Sequence, residues 1–199
     1  MTRRAGLDKA AVIEAAVRLI DEEGLEQLSL GSLAERLGVR VPSLYNHVAG
    51  LPGLKRDLAI YCLRELFGLL TRAVIGKARG DAILALADAY RSYARQTPGH
   101  YAFTLQAPDP HNEKWRRLGE INIEILLSIL APYKLSKSEA IHAIRSLRSI
   151  IHGFIALEIA GGFAMPINLD DSFHWLIRLY IEGLEQSERK EIGNGSHGS

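Results

Sequence analysis

The segment SLGSLAERLGVRVPSLYNH, Ser29 to His47, decides how the rest of the chain is read. Ser29 is a helix N-cap type, and the apolar spacing after it predicts a short helix from Leu30 to Leu37. Gly38 is suited to the left-handed conformation that ends such a helix. A still shorter helix is predicted from about Pro42 to His47, since proline is tolerated in a first helical turn. Two helices joined with so little slack form a helix-turn-helix. Ala34 falls where the two cross, and Leu33, Leu37, Val39 and Leu44 close a small core against Ile13, Val17 and Ile20 of a preceding helix. Arg40, Val41, Pro42, Ser43, Tyr45, Asn46 and His47 are left to face outward. An exposed helix rich in hydrogen-bonding groups and nearly free of acids suits a reader of the DNA major groove.

Charge supports that reading locally and not globally. The chain has 199 residues with 24 Lys and Arg against 23 Asp and Glu, so a net charge of +1 argues against a protein that coats nucleic acid. From Arg36 to Arg56, however, Arg36, Arg40, Lys55 and Arg56 occur with no acid among them, and Arg3 and Arg4 add two cations near the start. Phosphate contacts are expected from such cations and from helix N-terminal amides following Ser29 and Gly53. Arg40, Pro42, Ser43, Tyr45 and Asn46 are the expected base readers.

Composition excludes several classes. With 47% apolar and 24% charged residues the chain is an ordinary globular protein. The longest uncharged stretch, Val41 to Leu54, holds Pro42, Asn46, His47 and Pro52, so no membrane span is expected. No apolar signal segment follows Met1, and a cytoplasmic location is expected. Cys62 is the only cysteine, which excludes an intrachain disulfide and a multi-thiolate zinc site.

Between the Gly and Pro breaks the apolar period is helical throughout, which predicts an all-α protein of about nine helices. The first is capped by Asp8 and stopped by Gly24. After the helix-turn-helix, Gly50 to Gly53 reads as a break before a long helix from about Leu54 to Ile75. Further helices are expected over about Asp81 to Gln96, Tyr101 to Gln106, Asn112 to Leu130, Ser138 to Ala160 and Asp171 to Gln186, with Pro98-Gly99 read as a stop. The expected organisation is a three-helix head over 1–53, with the start of the linking helix, to about 67, attached to it. A C-terminal effector-binding and dimerisation bundle follows over 54–190, and a disordered Gly/Ser-rich tail over 191–199.

These residues carry a resemblance. The run from Leu28 to Val39, followed by Pro42-Ser43-Leu44-Tyr45-Asn46-His47-Val48 and Leu54, resembles the DNA-binding domain of the TetR family of transcriptional regulators. Ala15-Ala16 to Glu23-Gly24-Leu25 looks like that family's first helix, and the match covers roughly residues 7 to 67. The resemblance implies phosphate contacts from Tyr45, His47 and Lys55, with Arg40 to Ser43 and Asn46 facing the bases. Arg40 stands where a small residue is usual. Gly31 lacks a longer side chain often found there, which leaves the start of the second helix less well supported. Farther on, His152-Gly153-Phe154, Leu157-Glu158 and Gly161-Gly162-Phe163 resemble a subgroup with a Trp-His-Gly signature, although Ile151 replaces the Trp.

The function implied is a sequence-specific transcriptional regulator, a repressor released from a palindromic operator by a small-molecule effector. Two copies on a dimer would set recognition helices about 34 to 36 Å apart, and the apolar excess of the last two helices suits a four-helix dimer interface. Tyr90, Tyr93, Tyr101, Phe103, Trp115, Ile121, Arg148 and His152 are candidate lining for an effector pocket, or else simply fill a core. Arg148 and His152 lie four apart on an apolar helix. A buried Arg148 would need Glu120, Glu124 or an anionic ligand as partner.

One alternative belongs to another class. Glu139 with His142 and Asp171 with His174 have the acid-x-x-His spacing of di-iron-like metal-dependent helical-bundle enzymes. Both pairs lie at helix starts, where caps and dipole partners are expected, and no catalytic constellation, metal site or cofactor is predicted.

Overall fold

The computed structural model describes residues 7–105, 109 and 111–195, with the last helix's side chains described as far as Glu188. Arg3, Arg4 and residues 196–199 lie outside the described residues. Among the described residues nine α-helices follow one another: α1 Lys9–Glu23, α2 Leu30–Leu37, α3 Val41–Leu44, α4 Gly50–Val74, α5 Arg79–Gln96, α6 Pro98–Thr104, α7 Glu113–Leu130, α8 Lys137–Ile159 and α9 Leu169–Gly195. Single 3-10 turns occupy Leu25–Gln27 and Ala131–Tyr133, and no strand occurs among the described residues. No helix there is long and apolar enough to cross a membrane.

Helix ends follow the capping chemistry closely, with four departures, three of which have local causes. Asp8 accepts from the Ala11 N–H at 2.8 Å, and Gly24 stops α1 with φ of 92°. α4 begins at Gly50, not Leu54, because Pro52 falls in the first turn, where its missing N–H costs nothing. For the same reason Pro98 opens α6, and the Thr97 carbonyl accepts from the Tyr101 N–H at 2.9 Å. α3 is a single turn that ends at Leu44, shorter than expected. α9 instead continues to Gly195, into the stretch expected to be disordered, since the Glu, Arg and Lys that follow Ser187 are good helix formers.

The chain divides into two compact units. One comprises residues 1–66 and 96–118, so the unit with the helix-turn-helix also holds most of α4, all of α6 and the start of α7. Its core is the buried face of α1, Val12, Ile13, Ala16, Val17 and Ile20, with Leu33, Ala34, Leu44, Leu54 and Leu58. A Cβ on Gly99 would overlap Ile20, so glycine is what lets α6 approach α1 so closely.

The other unit comprises residues 67–95 and 119–199. Its core includes Ile83, Leu86, Ile144, Leu147, Ile151, Ile155, Phe173 and Ile177. The expected stripe of α9 behaves as an inner face, with Phe173, Ile177 and Leu184 buried and the Tyr180 hydroxyl donating to the Ala143 carbonyl at 2.9 Å. Arg91 is also inside, 5% exposed. Its guanidinium meets Glu158 at 2.6 and 2.8 Å and Asp170 at 2.8 Å, and it stands over the rings of Phe154 and Phe173.

Candidate nucleic-acid interface and effector-binding residues

The recognition segment is fixed from both ends. At the start of α2, Ser29 Oγ accepts from the Ser32 N–H at 3.0 Å, and Ser32 Oγ accepts from the Ser29 N–H at 3.1 Å. This reciprocal box supports the helix start despite Gly31, correcting the weakness expected there. It also commits the Ser29 hydroxyl to capping. At the other end Gly38 has φ of 65°, and its N–H and that of Val39 close on the Glu35 and Ala34 carbonyls at 3.0 Å each.

α3 hangs from one anchor. Leu44 is completely buried, and Arg40 is its N-cap residue in extended conformation. Arg40, Pro42, Tyr45 and Asn46 are exposed, Tyr45 by 60%, while Val41, Ser43 and His47 are half-buried. The Tyr45 ring lies beside Gly50 at the start of α4, on which Lys55 is exposed. The proposed base readers and phosphate contacts therefore sit on one continuous stretch from 40 to 55. Because α4 starts at Gly50, its N-terminal amides lie about one turn before the expected position after Gly53.

Electrostatics modify the expected cation block. Arg36 is not available on its own: it pairs with Glu22 and, at 2.9 Å, with Glu23, both on the last turn of α1. The Glu22 hydrogen bond, the largest cause, raises its pKa above the ordinary arginine range. Arg40, Lys55 and Arg56 remain exposed. The contact spans 13 and 14 residues, so no local sequence pattern announces it.

The candidate effector residues divide between the units. Tyr90 and Tyr93 on α5 are buried, and Tyr90 Oη lies 3.1 Å from Nε2 of the half-buried His152 on α8, with the rings edge to face. Burial, helped by nearby Arg148, pushes the His152 pKa down to about 4, so the imidazole is neutral near pH 7. Arg148 is itself exposed, so the buried cation expected there is absent and neither Glu120 nor Glu124 is needed to neutralise it. Ile121 is 41% exposed, which removes it from a closed lining. In the first unit Tyr101, Phe103 and Trp115 are buried, and no acceptor among the described residues faces the Trp115 indole N–H.

The acid-x-x-His pairs have other occupations. Glu139 completes a capping box with Ser136, accepting from the Ser136 N–H at 2.9 Å. His174 Nε2 lies 2.9 Å from Asp88. The α9 cap is Asn168, which accepts from the Asp170 N–H at 2.7 Å, while the Asp170 carboxylate binds Arg91.

Comparison with known proteins agrees with this architecture. The sequence profile described as "Bacterial regulatory proteins, tetR family" matches residues 12–47, and that described as "Tetracyclin repressor-like, C-terminal domain" matches residues 83–180. The uncharacterized HTH-type transcriptional regulator Rv0681 of Mycobacterium tuberculosis is 37% identical over 190 residues, covering 94% of this chain and 85% of that protein. YobS of Bacillus subtilis, also an uncharacterized HTH-type transcriptional regulator, is 32% identical over 185 residues, 92% of this chain and 96% of its own length. A TetR variant from Acinetobacter baumannii AYE, solved in complex with minocycline, has the same fold with a TM-score of 0.70 at 24% identity, over 92% of this chain and 98% of that one. The chain belongs to the TetR family of helix-turn-helix transcriptional regulators.

Proposed function

We propose that this regulator is a homodimeric cytoplasmic repressor without catalytic activity that reads a palindromic operator through α3 and leaves it when a small molecule binds the C-terminal part. The observation that carries the reading is the single-turn α3 itself: Leu44 is fully buried while Arg40, Pro42, Tyr45 and Asn46 project outward from it. Arg40 and Asn46 are the specificity contacts, with Pro42 and Ser43 against base edges. Tyr45, His47 and Lys55 are the phosphate contacts. Val41 and Ser29 contribute less, one by partial burial and the other because its hydroxyl caps α2.

Dimerisation would use the outer faces of α8 and α9. Leu157, Ile159, Trp175 and Leu179 are each at least half exposed, and no unit of this size needs to show so much apolar surface to water. The residues offered to an effector are Tyr90, Tyr93 and His152 in the C-terminal unit, with Arg148 beside them; Tyr101, Phe103 and Trp115 belong to the unit that carries α3. The neutral His152 and the tyrosine hydroxyls favour an uncharged or weakly polar aromatic effector. On this fold, a TetR variant of Acinetobacter baumannii AYE was solved in complex with minocycline and ActR of Streptomyces coelicolor in complex with (S)-DNPA. Release follows if the effector prefers a conformation in which the two heads no longer match the operator.

The test is selection of bound duplexes from a random DNA library by the full chain. A consensus with two inverted half-sites supports the reading. A non-palindromic consensus, or no enrichment over the starting library, overturns it.

A further inference from the structure

The unit that carries α3 also holds a cleft lined by none of the residues proposed for the operator or the effector. Its volume is about 300 Å³, and it lies between the first two turns of α1 and the middle of α4, with the start of α7 at its rim. Ile13 and Ile60 form its floor, 7% and 8% exposed, so each offers only an edge of its side chain. Tyr61 stands beside them, half-buried, while Lys9, Glu14, Arg64 and Lys114 are exposed around them.

Charge is unevenly matched along this cleft. Near the start of α1, Lys9 Nζ meets both carboxylate oxygens of Asp57 at 2.7 Å, which makes a neutral pair there. Glu14 faces Arg18 one turn further along its own helix, at 3.9 Å. Arg64 on α4 and Lys114 on α7 have no acidic partner among the described residues. The Tyr61 hydroxyl has no hydrogen-bond partner among them either. Burial, with Glu65 nearby, raises the Tyr61 pKa above its ordinary value, so the phenol keeps its proton near pH 7 and can donate.

The chemistry of these groups defines what they would hold. Two unpaired cations at one cleft repel each other, and an anion relieves that repulsion. A guanidinium presents two parallel N–H groups that match a carboxylate, an ammonium adds a point charge, and a phenol adds one more donor. The isoleucine floor favours an apolar body that a bare inorganic ion lacks. A cleft of this volume is at the small end of ligand sites and suits a single flat ring with a short arm.

We propose that the cleft between α1 and α4 is a small-molecule site, separate from the effector residues, for an aromatic carboxylate whose ring lies on Ile13 and Ile60 and whose carboxylate meets Arg64, Lys114 and the Tyr61 hydroxyl. All of these residues belong to one compact unit. The assignment does not depend on α3 being the operator reader or on where the effector binds.

The test titrates the full chain, methyl-labelled at isoleucine, with cinnamate and follows the Ile13 and Ile60 signals, which Ile13→Val and Ile60→Val identify. Both signals should shift together and saturate below about 5 mM. Arg64→Gln and Lys114→Gln, both at exposed positions that leave the core untouched, should each weaken cinnamate about 5- to 20-fold. Cinnamamide, with the same ring and no charge, should bind the parent about tenfold more weakly than cinnamate and be indifferent to the two variants. Inorganic phosphate should leave the two signals in place. Ile13 and Ile60 signals that do not respond to cinnamate overturn the site, whether or not Ile151 and Ile155 in the C-terminal core respond. Equal binding of cinnamate and cinnamamide, or cinnamate binding that ignores both glutamine variants, overturns the carboxylate assignment. Phosphate that shifts the same signals as strongly overturns the role of the ring.

Discussion

Arg91 and Glu158 form a two-pronged pair, Nε to Oε2 at 2.8 Å and Nη2 to Oε1 at 2.6 Å, inside the C-terminal unit. The side chains are only 6% and 13% exposed, and Asp170 closes the third side. The cluster ties α5 to the end of α8 and the start of α9. Taking one partner away strands the other in an apolar surround of Phe154 and Phe173. We expect Arg91→Ala to cost about 3 to 5 kcal/mol in chemical denaturation. Arg91→Met combined with Glu158→Leu should recover most of that loss, because an apolar pair of similar volume leaves little charge to solvate. A double variant as unstable as the single one would show that Asp170 and the hydrogen bonds dominate.

His152 gives a pH signature. Its folded pKa is about 4 against an ordinary 6.5, so between these values the unfolded chain binds a proton that the native state refuses. Stability is therefore unaffected by this group above pH 6.5 and falls as the pH drops toward 4. The group is partly open to solvent, so the loss should be about 1 to 2 kcal/mol, less than the full shift would give. Urea midpoints from pH 7.5 to 4.5 should decline in the parent and decline less in His152→Gln. Parallel profiles would mean that Tyr90 and the burial around it do not hold the ring neutral.

At the DNA face, two kinds of interaction should separate. Lys55→Ala should weaken binding to every duplex and lower the slope of log affinity against log salt by about 1. Tyr45→Ala should weaken all duplexes too, without changing that slope. Arg40→Ala or Asn46→Ala should instead relax discrimination at particular operator positions, by about 1 to 3 kcal/mol for each bidentate pairing with a base that the substitution removes. Titrations at several salt concentrations on the operator and on single-position variants check this. A salt-slope change from Asn46→Ala, or none from Lys55→Ala, would exchange their roles.

What the sequence made legible was what local chemistry decides. Asp8, Ser29, Gly24 and Gly38 cap or stop helices as their side chains and φ angles require, and the α2 boundaries follow from them. Pro98-Gly99 misled because a proline that ends one helix can equally open the next, and only the Thr97 carbonyl with Gly99 packed on Ile20 decides which. Arg148 was chosen by the apolar character of α8, but the phase of that helix puts Leu147 and Ile151 inward and leaves Arg148 in water. The buried arginine is Arg91, whose partners lie 67 and 79 residues away, a separation that no local pattern announces. The buried His100 was hidden in the same way, since the carboxylates it meets are Asp21 on α1 and Glu65 on α4.

The outer face of α9 should decide assembly. Trp175 is 67% exposed and Leu179, one turn later, 51%, while on α8 Leu157 is 50% exposed. One turn before Leu157 and one turn after Leu179, Gly153 and Gly183 are exposed and have open space where a Cβ would stand, so a partner helix could approach closely. Burying one tryptophan of this exposure in a two-fold interface removes on the order of 100 Å² of apolar surface per copy, worth about 2 kcal/mol for each protomer and twice that for the dimer. Trp175→Glu should therefore raise the dimer dissociation constant by about a thousandfold, more if the two charges meet at the axis. Sedimentation velocity at micromolar concentration should then show the monomer, with its helix content unchanged by circular dichroism. Operator binding should fall steeply while a half-site duplex is bound as weakly as before. A variant that still sediments as a dimer would move the interface away from this face of α9.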